Sequence, residues 1–290
     1  MRRANLILGL IVVAGLAAIS GSLALQQAKI EAPIRLIVRG DDMGMTHACN
    51  LAVEKCFLNG IMTCVGLIVP APWFEEAARM AREHPEWGVG VHLALNGEWR
   101  DYKWKPVLPY NLVPSLVDED GFFYPTTEAF LGANPNLDEV DKELRAQMDR
   151  AIKRGLNIQY IDTHMDTLNA TPELWTVVQK IARDYGFPIS GECGEEKSDF
   201  LVIYNTPPEK KEEVLADRLR RLGPGLWLLV VHPGLDTPEM RALVDANPEG
   251  LPNVAAHRAA EAKALQSKRI KKIIRKRGIE LVDYKPFQVK

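Results

Sequence analysis

Two aspartates, Asp41 and Asp42, stand side by side directly after the apolar, β-branched run Ile34–Arg39. Adjacent carboxylates facing one dry spot repel each other unless a cation lies nearby or one is protonated. Three histidines share a related setting. His92 lies within the run Val89–Leu95, His164 follows Ile158–Thr163, and His232 closes the run Leu226–Val231. Two imidazoles and one carboxylate suit Zn, Co, Mn, Ni or Fe, and an open site with a carboxylate also admits Mg. Three protein ligands leave positions for water and substrate, the arrangement of a catalytic rather than a structural site. One aspartate can then bind the ion while its neighbour takes a proton from water. A lone histidine at a strand end is more often a satisfied structural residue. Three of them together with a carboxylate pair are what make the chemistry worth testing. His47, His84 and His257 fall on helices or helix ends and are read as structural.

The elements that must position these residues alternate. Strand-like runs at 34–39, 63–69, 89–95, 157–162, 187–191, 200–204, 225–231 and 279–284 are separated by helical spacing at 46–59, 73–84, 137–154, 171–185, 208–222 and 253–276. Thr171 is placed to cap the helix that Pro172 opens and Gly186 stops. Apolar strands alternating with helices imply a mostly parallel sheet covered by helices. Seven or eight such units indicate a barrel. In a parallel barrel the C-terminal strand ends meet at one mouth, which would gather Asp41, Asp42, His92, His164 and His232. Gly44 is expected to let the backbone turn so that both aspartates reach it. Residues 97–135 break the alternation, are rich in Trp, Tyr, Pro and Gly, and read equally as a cover over the site or a packed surface excursion.

The chain of 290 residues has a formal net charge of −2, which argues against a nucleic-acid partner. Arg2 and Arg3 precede an uncharged apolar run from Leu6 to Leu25, with Ser22-Leu23-Ala24 as a small-x-small site. This predicts an export signal, or an uncleaved anchor through residues 5–25. The protein is thus expected to be periplasmic, extracellular or held on the outer face of the cytoplasmic membrane. Cys49, Cys56, Cys64 and Cys193 form no C-x-x-C pair and read as buried thiols. Lys268–Arg277 is a charge run with Ile270, Ile273 and Ile274 on one helical face, a solvated helix. With an anchored N-terminus that face would meet anionic lipid.

Four motifs in order carry a resemblance: Asp41-Asp42-Met43-Gly44, Gly90-Val91-His92-Leu93, Asp162-Thr163-His164 and His232-Pro233-Gly234. Together with the closing His257–Leu265 and Gly278–Tyr284 segments, they are similar to the YdjC-like carbohydrate deacetylases. The similarity runs from about Ile34 to Tyr284. It implies a single α/β domain at 33–290, a distorted (β/α) TIM-like barrel with an insertion at 97–135, behind a signal or anchor at 1–30. It implies a metal-dependent hydrolase that removes an acetyl group from an N-acetylated carbohydrate or glycolipid. Asp41 would be the base and His232 the acid, with Asp42, His92 and His164 on one divalent ion, Mg or Zn ahead of Co, Mn or Ni. Trp99, Asp166 and Arg241 are candidates for substrate binding, and Tyr102, Trp104 and Tyr110 for further stacking platforms. The chain departs from the family at His164-Met165-Asp166, where many members carry further histidines, and this bears on substrate identity. Two other readings stay open. One is a non-catalytic glycan-binding barrel of the cell envelope. The other is an Fe(II) oxygenase built on His164, Asp166 and His232, with Arg241 beyond, against which the long helices argue.

Overall fold

The computed structural model describes residues 33–288 apart from 197–199, 201 and 249, so the expected signal or anchor at 1–30 lies outside the described residues. Six strands are present among them: β1 (Ile34–Met43), β2 (Cys64–Leu67), β3 (Gly88–Leu93), β4 (Ile158–Thr163), β5 (Gly225–Val231) and β6 (Glu280–Leu281). All pairings are parallel, in the order β4-β3-β2-β1-β5, with β6 against the first residues of β1. Residues 188–196 join the two outer strands. Ile189 bridges to Ile161 of β4 and Glu196 to Trp227 of β5, both in parallel. The result is an α/β fold whose parallel sheet is consistent with a TIM-like barrel.

The longer helices are α1 (His47–Asn59), α2 (Phe74–Glu83), α3 (Leu137–Lys153), α4 (Pro172–Tyr185), α5 (Lys211–Arg221), α6 (Val254–Gln266) and α7 (Lys268–Arg277). Thr46 and Thr171 cap α1 and α4 by accepting the Cys49 and Leu174 N–H groups, and Gly186 ends α4 at φ 75°. Strand periodicity divides the apolar residues into two sets. Leu36, Val38, Val65, Val89, Val91 and Leu229 pack in one large cluster with apolar faces of the helices. Ile37, Cys64, Tyr160, Leu226, Leu228 and Tyr284 form a second, smaller cluster. Gly90 makes room there, because a Cβ on it would stand 2.3 Å from Tyr160 Cζ.

Three local expectations need correction. Residues 200–204 are not a strand: Val202–Asn205 is a short helix. Phe200 and Ile203 are both buried, three apart, which is helical rather than strand spacing. Residues 187–191 contribute a single bridge, at Ile189, rather than a full strand. The helix expected over 253–276 is two helices, broken where Ser267 turns extended (φ −60°, ψ 131°) and accepts the Arg269 N–H to cap α7. A serine that satisfies the backbone outside a helix competes with continuing it. The four cysteines are free, three of them buried, and burial pushes the Cys56 thiol up to about 12.

Candidate active site

The paired aspartates sit at a fault in β1. Gly40 faces Val65 and Met43 faces Leu67, so the β1 side carries one residue more than β2 over this stretch. Such a bulge re-aims side chains. Asp42 itself adopts φ 68°, so the turn begins two residues before Gly44. Regular alternation would send Asp41 and Asp42 to opposite faces, whereas here both line one cavity of about 630 Å³.

Within it, three donor atoms converge. Asp42 Oδ1 lies 3.5 Å from His92 Nε2 and 3.3 Å from His164 Nδ1, and the two ring nitrogens are 3.3 Å apart. Asp42 Oδ1 is buried and has no hydrogen-bond partner among the described residues. Tetrahedral ligands about 2.1 Å from an ion are about 3.4 Å from one another. The three residues therefore fit a divalent ion. Each also has a partner behind it. Asp162 Oδ2 is 3.0 Å from His92 Nδ1, Glu98 Oε2 is 3.0 Å from His164 Nε2, and Arg258 donates to Asp42 Oδ2 at 2.6 Å. Carboxylates behind both imidazoles favour a proton on the outer nitrogens, so in the neutral rings the inward nitrogens are the ones offered to an ion.

The electrostatics follow from these contacts. Burial disfavours charge on Asp42, yet Arg258 and the two imidazoles hold it well below the usual carboxylate range. Burial also opposes charge on the histidines. Asp162 and Asp41 nevertheless lift His92 well above its ordinary value, and Glu98 with Asp42 lifts His164 to about 9. At His232 burial wins: Asp42 and Asp41 pull its value up, but burial, helped by Arg258 and His92, lowers it to about 4. Arg39 clamps Asp41 through two contacts of 2.7 Å and reaches Asp162 at 3.1 Å. Asp41, Arg39, Asp162 and His92 thus form one continuous chain of contacts.

The structure brings Asp41, Asp42, His92, His164 and His232 to one cavity, and Trp99 and Asp166 line it too. Trp99 is buried, with its Nε1–H unpartnered among the described residues and its ring 5.7 Å from the Arg258 guanidinium. Arg241 is not brought in: it is exposed and paired with Asp236 at 2.6 Å. Of the other aromatics, Tyr102 ties the 97–135 segment to the Met45 carbonyl and Trp104 packs beside His164, while Tyr110 is exposed. Tyr102 and Trp104 thus anchor the segment, and none of the three lines the cavity, to which the segment contributes Glu98 and Trp99. His164, Asp166 and His232 do not form the cluster an Fe(II) oxygenase would need: Asp166 is exposed and accepts from Asn169, and His164 groups with Asp42 and His92. His257, expected to be only structural, lines the cavity.

The profile of the family described as YdjC-like protein matches residues 35–276. The chain belongs to the YdjC-like family. A carbohydrate deacetylase of Enterococcus faecalis V583 is 29% identical over 263 residues, covering 86% of this chain and 97% of that one. A carbohydrate deacetylase of Thermus thermophilus is 32% identical over 232 residues, covering 72% and 81%. The one from Brevibacillus brevis is 35% identical over 176 residues; that match covers 60% of this chain and 66% of the relative, just under two thirds of its length. A crystal structure from Enterococcus faecalis V583, described as a proposed cellobiose-phosphate cleavage protein, superposes with a TM-score of 0.72 at 25% identity, covering 89% of this chain and all of that one.

Sequence reasoning on this YdjC-like chain passed over Arg39, Glu98, Asp162 and Arg258 as site residues. A signal existed for two. Arg39 stands two residues before Asp41, and Asp162 two before His164, so strand alternation puts each on the same face as its neighbour. Glu98 and Arg258 come from the irregular segment and from α6, where no periodicity marks them.

Proposed function

We propose that this protein is a metal-dependent deacetylase that removes the acetyl group from an N-acetylated carbohydrate. The observation that carries the reading is the convergence of Asp42, His92 and His164 at 3.3–3.5 Å, with Asp41 beside them in the same cavity. Asp42, His92 and His164 would hold one divalent ion, with Mg or Zn preferred and Co, Mn or Ni admitted by the donor set. Such an ion supplies a Lewis acid and a source of nucleophilic water at neutral pH. Asp41 is the general base: Arg39 fixes its carboxylate, and each oxygen keeps a lone pair for the proton of the attacking water. His232, on the same cavity, delivers a proton to the departing amine nitrogen. With its value lowered to about 4, it starts neutral, so the proton it gives is the one that Asp41 has taken from the attacking water. The exposed carboxylate of Asp166 is an acceptor for sugar hydroxyls, and Trp99 lines the same cavity as an apolar wall for the sugar. The domain spans 33–290, and export behind residues 1–30 would place the activity outside the cytoplasm.

The test is acetate release from a panel of N-acetylated oligosaccharides, with and without chelator, then with single metals restored. Chelator-sensitive release is expected. Asp41→Asn should keep the metal and lose about 10²–10⁴ in rate. Full activity in that variant removes the base assignment, and tight glycan binding without metal or turnover favours a binding barrel.

A further inference from the structure

The outer face of α7 carries a charge pattern that helix stability does not explain. Seven of its ten residues, Lys268–Arg277, are Lys or Arg, and none is acidic. Lys268, Arg269, Lys272, Arg275 and Lys276 are exposed, while Ile270, Ile273 and Ile274 are buried. Cations in the last turn complement the helix dipole. Lys268 and Arg269 do the reverse: they stand in the first turn, where a cation is disfavoured.

The end of α7 lies where the N-terminal part of the chain joins the barrel. Ile34 pairs with Gly225 of β5, and Arg35 pairs with Glu280 of β6, three residues beyond α7. The Gly225 N–H donates to the Pro33 carbonyl at 3.1 Å. Arg277 donates to the carbonyls of Arg220 and Leu222 at the end of α5. Exposed Arg220 and Arg221, the latter shared with Asp217 at 2.9 Å, extend the basic surface. Leu281 of β6 adds an apolar side chain that is 39% exposed. Before this point the sequence holds the uncharged run Leu6–Leu25, of membrane-spanning length, behind Arg2 and Arg3. Only eight residues, 26–33, separate that run from Ile34. Fully extended, they reach at most about 29 Å.

We propose that this end of the barrel, with the outer face of α7, rests on the surface of an anionic phospholipid bilayer in which Leu6–Leu25 is embedded. The charge is complementary, the tether is short, and an exposed leucine accompanies the cations, as in interfacial surfaces. β1 starts at this end and finishes at Asp41 and Asp42, so the cavity opens away from the bilayer.

The full chain is placed in phosphatidylcholine vesicles with or without phosphatidylglycerol, and lysine acetylation is mapped by mass spectrometry. Labelling of Lys268, Lys272 and Lys276 is expected to fall several-fold when phosphatidylglycerol is present. It should return near 1 M salt, where the Debye length shrinks to about 3 Å. The double variant Lys272→Glu/Lys276→Glu should lose the lipid dependence at Lys268 and leave acetate release unchanged. Equal labelling in the two vesicles overturns the proposal, and so does recovery of the chain only as a soluble product beginning beyond residue 25. Protection of the same lysines by a DNA duplex in detergent, with none from phosphatidylglycerol, would assign the face to nucleic acid and also overturn it.

Discussion

Replacing Asp162 by Asn isolates the contact that orients one proposed metal ligand. Asp162 Oδ2 stands 3.0 Å from His92 Nδ1 and 3.1 Å from Arg39. The substitution keeps shape and removes charge. Arg39 retains both of its 2.7 Å contacts to Asp41, so the change falls mainly on His92. With the carboxylate in place, the neutral ring that an ion requires keeps its proton on Nδ1 and offers Nε2 toward Asp42 and His164. An asparagine that turns its amide to the ring donates to Nδ1 and moves the proton to Nε2, where the ion needs a lone pair. Loss of such an outer partner costs about 10–100-fold in metal affinity, or about 1.4–2.7 kcal/mol. The metal-free fold should suffer less. In the metal-free protein Asp41, Asp42, Asp162 and Glu98 face Arg39, Arg258 and the raised imidazoles of His92 and His164, so the lost negative charge is offset when His92 gives up its extra proton. Competition for Zn²⁺ against a chromogenic chelator measures the affinity, and thermal melts with and without metal measure the fold. Affinity within about two-fold of the parent, with an intact melt, would refute the argument that Asp162 sets the tautomer of His92. A collapsed metal-free melt would show instead that Asp162 serves chiefly to hold Arg39.

Gly90→Ala should destabilise the fold by about 1–3 kcal/mol or more through overpacking, because the new methyl would stand 2.3 Å from Tyr160 Cζ. An unchanged melting temperature contradicts that, and Tyr160→Leu in the same chain should recover part of the loss. Metal affinity should rise with pH. Despite burial, Glu98 and Asp42 lift His164 of the metal-free protein to about 9, so below that pH an ion must expel a proton to reach the ring nitrogen. Each proton displaced adds up to tenfold in affinity per pH unit between 7 and 9. Calorimetry at pH 7 in buffers of different ionisation enthalpy counts the protons released, and a count of zero contradicts the prediction.

The strand–helix alternation and the candidate ligands were readable because both depend on short-range rules. A β-branched run that ends in Asp41-Asp42, or in His232, reports its own strand and its own C-terminal end, and parallel strands place such ends together. Thr171, Pro172 and Gly186 marked α4 for the same reason, since capping is decided within one turn. Misreadings arose where local signals were ambiguous. Phe200–Tyr204 is too short an apolar run for period two and period three to be told apart, and Ser267 can cap a helix or lie within one.

The sequence by itself determined the class of chemistry: carboxylates and imidazoles at strand ends, in a near-neutral chain with alternating strands and helices. Tertiary structure decided which of them meet. Asp42 takes its positive φ where β1 bulges against β2. Glu98 meets His164 across 66 residues and Arg258 meets Asp42 across 216, and these contacts exist only in the folded chain. Arg241, just beyond the His232 motif, is drawn to Asp236 on the surface instead. Periodicity is a property of a few consecutive residues, whereas the charge balance of a buried site depends on every element packed around it.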